Sequence, residues 1–138
     1  MKEGCYACLI GMVFLTSFIF IDKTLPIERN TTKVISIQHK GQTFEVKLRE
    51  SFILVLPNPG AGGYVLKDPE IDSQILTLMK MEKKPASEPN KVGDFGSFEW
   101  TFLPKEKGVS PIIVRAFRPW EREKAPIVLF EATVQVNQ

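Results

Sequence analysis

At 138 residues, with 43% hydrophobic and 25% charged content, the chain has room for one self-sufficient soluble domain and its core. A formal net charge of only +2, with Lys and Arg dispersed among acids, excludes an electrostatic footprint for nucleic acid or an anionic membrane surface. Composition therefore points to no partner.

Residues 5–21 form a run without a charged side chain, preceded by Lys2 and Glu3 and followed by Asp22 and Lys23. Such a run reads as an export signal. Its length also reaches the lower limit of a membrane-spanning helix, so an uncleaved signal anchor is the alternative, and the membrane would be met only through this segment. Both cysteines, Cys5 and Cys8, lie inside it, so a domain cleaved after residue 21 would hold no disulfide and would depend on its core alone. Residues 22–32 are polar, contain Pro26 and read as a linker; Asn30-Thr31-Thr32 forms a glycosylation sequon that matters only in a eukaryotic secretory pathway.

From residue 33 onward the pattern is short runs rich in β-branched and aromatic residues, separated by Gly, Pro and Asn. Residues 34–37 and 44–48 alternate apolar with polar and flank His39-Lys40-Gly41-Gln42, which predicts a hairpin. Further strands are predicted over 52–56, 64–66, 74–81, 98–103, 110–117 and 127–136. That spacing predicts an all-β chain folded as an immunoglobulin-like sandwich of about seven to eight strands.

Catalytic chemistry is scarce in this pattern. His39 is the sole histidine and has no cysteine nucleophile beside it in the domain, so no triad can be assembled around it. One histidine with scattered carboxylates also lacks the ligand spacing of a zinc or calcium site. Glu121 and Glu123 sit on alternate positions of a polar segment, where carboxylates are ordinarily solvated. These features predict a binding protein without enzymatic activity, metal or cofactor.

Three loops carry the candidate binding residues. The first follows the strand at 52–56 and reads Asn58, Pro59, Gly60, Ala61, Gly62, Gly63, Tyr64. Its glycines can adopt positive φ and approach another surface closely, while Pro59 restrains Asn58 to extended geometry and Tyr64 can anchor the returning strand. Taken alone it is an ordinary glycine-rich turn. The second is the end of a long polar connection over 82–97, where Gly93, Asp94, Phe95 and Gly96 place an aromatic between two glycines. The third, Arg118-Pro119-Trp120, follows a long strand and joins two residue types enriched in binding hot spots.

In this order the loops resemble those of the chagasin family of cysteine-protease inhibitors. The family's first motif is N-P-T-T-G and an aromatic, matched by Asn58, Pro59, Gly62 or Gly63, and Tyr64; Gly93 and Gly96 match its second, glycine-rich loop; Arg118-Pro119-Trp120 matches its R-P-W motif in full. The resemblance runs over about residues 33–136. It implies a sandwich whose three loops cluster at one end as a wedge, entering the active-site cleft of a papain-like, cathepsin L-like protease and blocking it reversibly as a monomer. It further implies that residues 59–62 cover the catalytic centre, that 93–96 touch one wall, and that Arg118 and Trp120 grip the other. Asn58 and Tyr64 would shape and anchor the first loop. Gly60 and Ala61 replace the threonine pair and the loop is one residue longer than the motif, which implies weaker or differently selective inhibition. A reading of another class stays open: an immunoglobulin-like adhesion or assembly module held at a membrane by residues 5–21, binding through a sheet face or edge.

Overall fold

The computed structural model describes residues 32–88 and 92–138. The expectations of a signal or anchor over 1–21 and of a linker over 22–32 lie, but for residue 32, outside the described residues. Within the described residues there are nine strands: β1 (Lys33–Ser36), β2 (Thr43–Lys47), β3 (Phe52–Pro57), β4 (Val65–Leu66), β5 (Glu70–Ile71), β6 (Leu76–Lys84), β7 (Ser97–Pro104), β8 (Gly108–Phe117) and β9 (Ile127–Asn137). They form two sheets, ordered β1-β3-β7-β6 and β2-β9-β8-β4, with β5 also paired to β8. The all-β immunoglobulin-like sandwich expected from the sequence is the fold observed.

Alternation along each strand decides which side chains meet between the sheets. In β3, Phe52, Leu54 and Leu56 are buried, and in β8 and β9 Ile112, Val114, Phe130 and Val134 close the opposite face. Phe52 stacks on Phe102 at 5.3 Å between ring centroids, and Phe44 meets Phe52 edge-on at 5.9 Å. These aromatics tie β2 in one sheet to β3 and β7 in the other, so the core bridges the two layers from one edge of the sandwich.

Two expectations are corrected. Residues 34–37 and 44–48 do not form a hairpin: β1 runs parallel to β3 in the first sheet, and β2 runs parallel to β9 in the second. The chain crosses between sheets because Ile37–His39 is a 3-10 turn, and the Ser36 N–H donates to His39 Nδ1 at 3.1 Å. The lone histidine closes that turn. The strand expected over 74–81 starts two residues later, since the Leu76 N–H donates to the Asp72 carbonyl at 2.9 Å and holds a turn there. It then runs three residues further, to Lys84. The charged residues 82–84 read as loop, yet they pair with Ser97, Phe98 and Glu99. Their charge is accommodated because β6 is a sheet edge, where Glu82 pairs with Lys80 at 2.6 Å and with Lys84 at 3.2 Å. Lysines and the bulge between Leu78 and Lys80 also make that edge a poor template for another strand.

The β3–β4, β6–β7 and β8–β9 connections emerge together at one end of the sandwich. At the opposite end the Arg49 N–H donates to the Pro104 carbonyl and the Lys105 N–H to the Ile75 carbonyl, so the short turns there are bound to one another.

Candidate functional site

The first loop begins where β3 ends, and its opening residue is bonded directly to the second. The Asn58 N–H donates to the Gly96 carbonyl at 2.9 Å, and the Asn58 side-chain amide donates to the Phe95 carbonyl at 3.0 Å. Its side-chain oxygen accepts from the Gly60 N–H at 3.2 Å, a local turn that asparagine forms readily. One side chain thus binds forward into its own loop and sideways into the next.

Beyond Asn58, residues Gly60–Gly62 form a single 3-10 turn, with Pro59 before it at φ −72° and Gly63 after it at φ +67°. The turn's own hydrogen bonds, Gly62 N–H to Pro59 carbonyl and Gly63 N–H to Gly60 carbonyl, are both 3.4 Å long. Good N–H···O bonds fall near 2.9 Å, so the turn is weakly self-supporting. The shorter bonds to neighbouring loops therefore dominate its geometry.

On one side stands the second loop. Asp94 accepts from the Gly96 N–H at 2.9 Å and from the Ser87 N–H at 3.1 Å, folding the connection back on itself. Gly96, at φ +83°, passes so close to the Lys84 carbonyl that a β-carbon would lie 2.1 Å from that oxygen. Phe95 lies against Gly60 and remains 44% exposed. Gly93, at φ +95°, stands in open space at the turn of this loop.

On the other side stands the third loop. Arg118 Nε donates to the Gly62 carbonyl at 2.8 Å, and the guanidinium lies 4.4 Å from the centroid of the Tyr64 ring. Glu121 accepts from Arg118 at 3.4 Å and from Lys124 at 3.0 Å. The hydrogen-bonded Lys124 ammonium, with Arg118 adding to it, holds the Glu121 carboxyl below the usual carboxylate range. Trp120 lies over Gly63 and is 66% exposed; Pro119, between Arg118 and Trp120 in the chain, is exposed.

The structure thus brings Asn58, Gly60, Gly62, Gly63, Tyr64, Phe95, Gly96, Arg118 and Trp120 into one cluster. Pro59 and Ala61 belong to the same turn, while Asp94 holds the second loop through the Ser87 and Gly96 N–H groups and Gly93 stands apart in open space. Arg118 and Asp94, grouped by sequence with partner-facing residues, turn their polar groups into the protein's own loops. Glu121, set aside in the sequence as a solvated carboxylate, turns out to hold the third loop together; its spacing of three from both Arg118 and Lys124 was the available signal. Among the described residues no group of three or more His, Cys, Asp or Glu is placed to hold a metal ion. No helix among them is long and apolar enough to cross a membrane.

Residues 39–134 match the model of the chagasin family of peptidase inhibitors, I42. The chain belongs to this family. Solved structures with the same chagasin-like fold include the cysteine protease inhibitor EhICP2 from Entamoeba histolytica, with a TM-score of 0.66 at 20% identity, over 77% of this chain and 96% of that one. Amebosin aligns with a TM-score of 0.56 at 18% identity, over 77% and 98% of the two chains. PbICP-C, solved in complex with falcipain-2, aligns with a TM-score of 0.51 at 14% identity, over 78% and 92%. At these identities the likeness to the solved structures is one of fold. No curated protein matches the chain.

Proposed function

We propose that this chagasin-family chain is a reversible inhibitor of papain-like cysteine proteases that blocks the active-site cleft with three loops and is not itself an enzyme. The observation that carries this reading is the pair of short hydrogen bonds, Asn58 to Gly96 and Arg118 to Gly62, which joins the three loops into one surface at one end of the sandwich. EhICP2 is described as a cysteine protease inhibitor and PbICP-C was solved in complex with falcipain-2, which supports a cysteine protease as the partner of this chain.

The middle loop is suited to a catalytic centre. Its 3-10 turn offers main chain with little side-chain bulk over residues 60–63, so it can approach a nucleophile that a larger side chain would keep at a distance. Trp120 flanks it as an exposed aromatic, the type of residue that supplies area at low entropic cost in binding surfaces. The cross-loop bonds hold the surface before the partner arrives, which lowers the ordering cost of binding. All three loops come from one chain, so a monomer suffices. Export through residues 5–21, as a signal peptide or a retained anchor, is part of the same proposal and would bring the domain to proteases outside the cytoplasm.

Steady-state titration of the domain against papain and a cathepsin L-like protease tests the reading. Inhibition that is competitive with substrate, with the inhibitor recovered uncleaved, is the expected result. A folded sample that fails to inhibit either enzyme at micromolar concentration overturns it.

A further inference from the structure

The glycines of the first loop are explained more directly by the protein's own aromatics than by a partner's close approach. A β-carbon built on Gly60 would lie 2.6 Å from Phe95 Cγ and 2.8 Å from Phe95 Cβ. Contacts that short do not occur, and Cβ is fixed to the backbone, so no rotation of the ring relieves both. On the far side a β-carbon on Gly63 would lie 2.0 Å from Trp120 Cη2, and Gly63 also sits at φ +67°, where side chains are disfavoured. The turn between these glycines is held by internal bonds of 3.4 Å, too long to fix its shape.

We propose that Phe95 is a positioning residue: it clamps the 3-10 turn against Trp120 on the opposite side, and Gly60 is glycine because Phe95 occupies the space of its side chain. The second loop is thereby a brace for the first as well as a neighbour of it. The Asn58 bonds to Gly96 and to the Phe95 carbonyl fix the backbone from which the ring projects, so ring and turn form one unit. A partner then meets a turn already in its bound shape. The kinetic half of this proposal rests on the inhibitor reading; the structural half does not.

The test is a double-substitution cycle in the full chain, with Gly60→Ala, Phe95→Ala and both together. Amide hydrogen exchange at Asn58, whose N–H donates to the Gly96 carbonyl, reports the clamp without any protease. Either single substitution is expected to speed that exchange by about tenfold or more, and the double variant to exchange no faster than Phe95→Ala alone, the non-additivity of groups in contact. Exchange effects that multiply in the double variant would overturn the clamp.

Binding kinetics with papain supply a readout that a simple contact would not give. Loss of pre-ordering lowers the fraction of competent inhibitor, so Phe95→Ala is expected to slow association by about fivefold and leave dissociation within about twofold. Faster dissociation with unchanged association would make Phe95 a contact residue and overturn the positioning role. If the unmodified chain failed to inhibit papain, the inhibitor reading would fall while the exchange cycle still decided the clamp.

Discussion

Arg118 and Gly62 are joined by a 2.8 Å hydrogen bond from guanidinium Nε to main-chain carbonyl, with the same guanidinium resting on the Tyr64 ring. This contact makes the third loop a support of the first. Arg118→Lys keeps the charge and loses the planar donor geometry and the stacked contact. A charged hydrogen bond of this kind contributes roughly 1.5–3 kcal/mol, at the low end for a partly exposed group. The inhibition constant for papain is expected to rise about tenfold. Because no core residue is touched, the melting temperature should move by only a few degrees; a large drop with unchanged inhibition would place Arg118 in the fold and outside the binding surface.

Asn58 makes two side-chain bonds and one main-chain bond at the junction of the first two loops. Asn58→Ala removes the side-chain pair at about 1 kcal/mol each, so a rise of roughly tenfold or more in the inhibition constant is expected. Asn58→Asp keeps the acceptor for the Gly60 N–H but sets a carboxylate against the Phe95 carbonyl. It should therefore rescue little, and inhibition titrations of the two variants side by side decide whether donor or acceptor matters more.

Trp120 is the most exposed aromatic of the cluster, at 66%, and it covers a glycine that has no side chain to hold it in place. Trp120→Ala should leave thermal stability nearly unchanged while raising the inhibition constant by more than about tenfold, since hot-spot truncations cost about 2 kcal/mol or more. An unchanged constant would remove the third loop from the mechanism.

The third loop also carries a pH dependence. Lys124 first, and Arg118 after it, hold the Glu121 carboxyl below its ordinary value, so the folded state prefers the ionised form. The resulting stabilisation is complete above the unfolded glutamate value and is lost as pH falls through the lowered folded value. Melting temperatures of the wild-type chain and Glu121→Gln should accordingly differ most at neutral pH and converge in acid. A gap that widened on acidification would reverse the assigned sign.

Alternation of apolar and polar residues made most strands legible, because one face of each must meet the core: Phe52, Leu54 and Leu56 announce β3 as clearly as Ile112 and Val114 announce β8. What alternation does not encode is the partner. The pattern over 34–48 fits a hairpin, and only the pairing of β1 with β3 and of β2 with β9 shows the chain crossing to the other sheet. The motif residues of the site were legible as types in order along the chain, down to the departure at Gly60 and Ala61. Their directions were not: sequence cannot show that Arg118 turns inward to Gly62, or that Phe95 stands where a side chain on residue 60 would be. Loop-to-loop contacts of this kind depend on three connections meeting in space, and no local pattern carries that information.

The most direct measurement is binding of the domain to papain whose cleft is already filled by a covalently attached active-site inhibitor, compared with binding to the free enzyme. If the loops at 58–64, 93–96 and 118–120 enter the cleft, affinity for the blocked enzyme should fall by about a hundredfold or more, because the shape that the middle loop must occupy is taken. Undiminished binding to the blocked enzyme would contradict the account, since the partner surface would then lie outside the cleft.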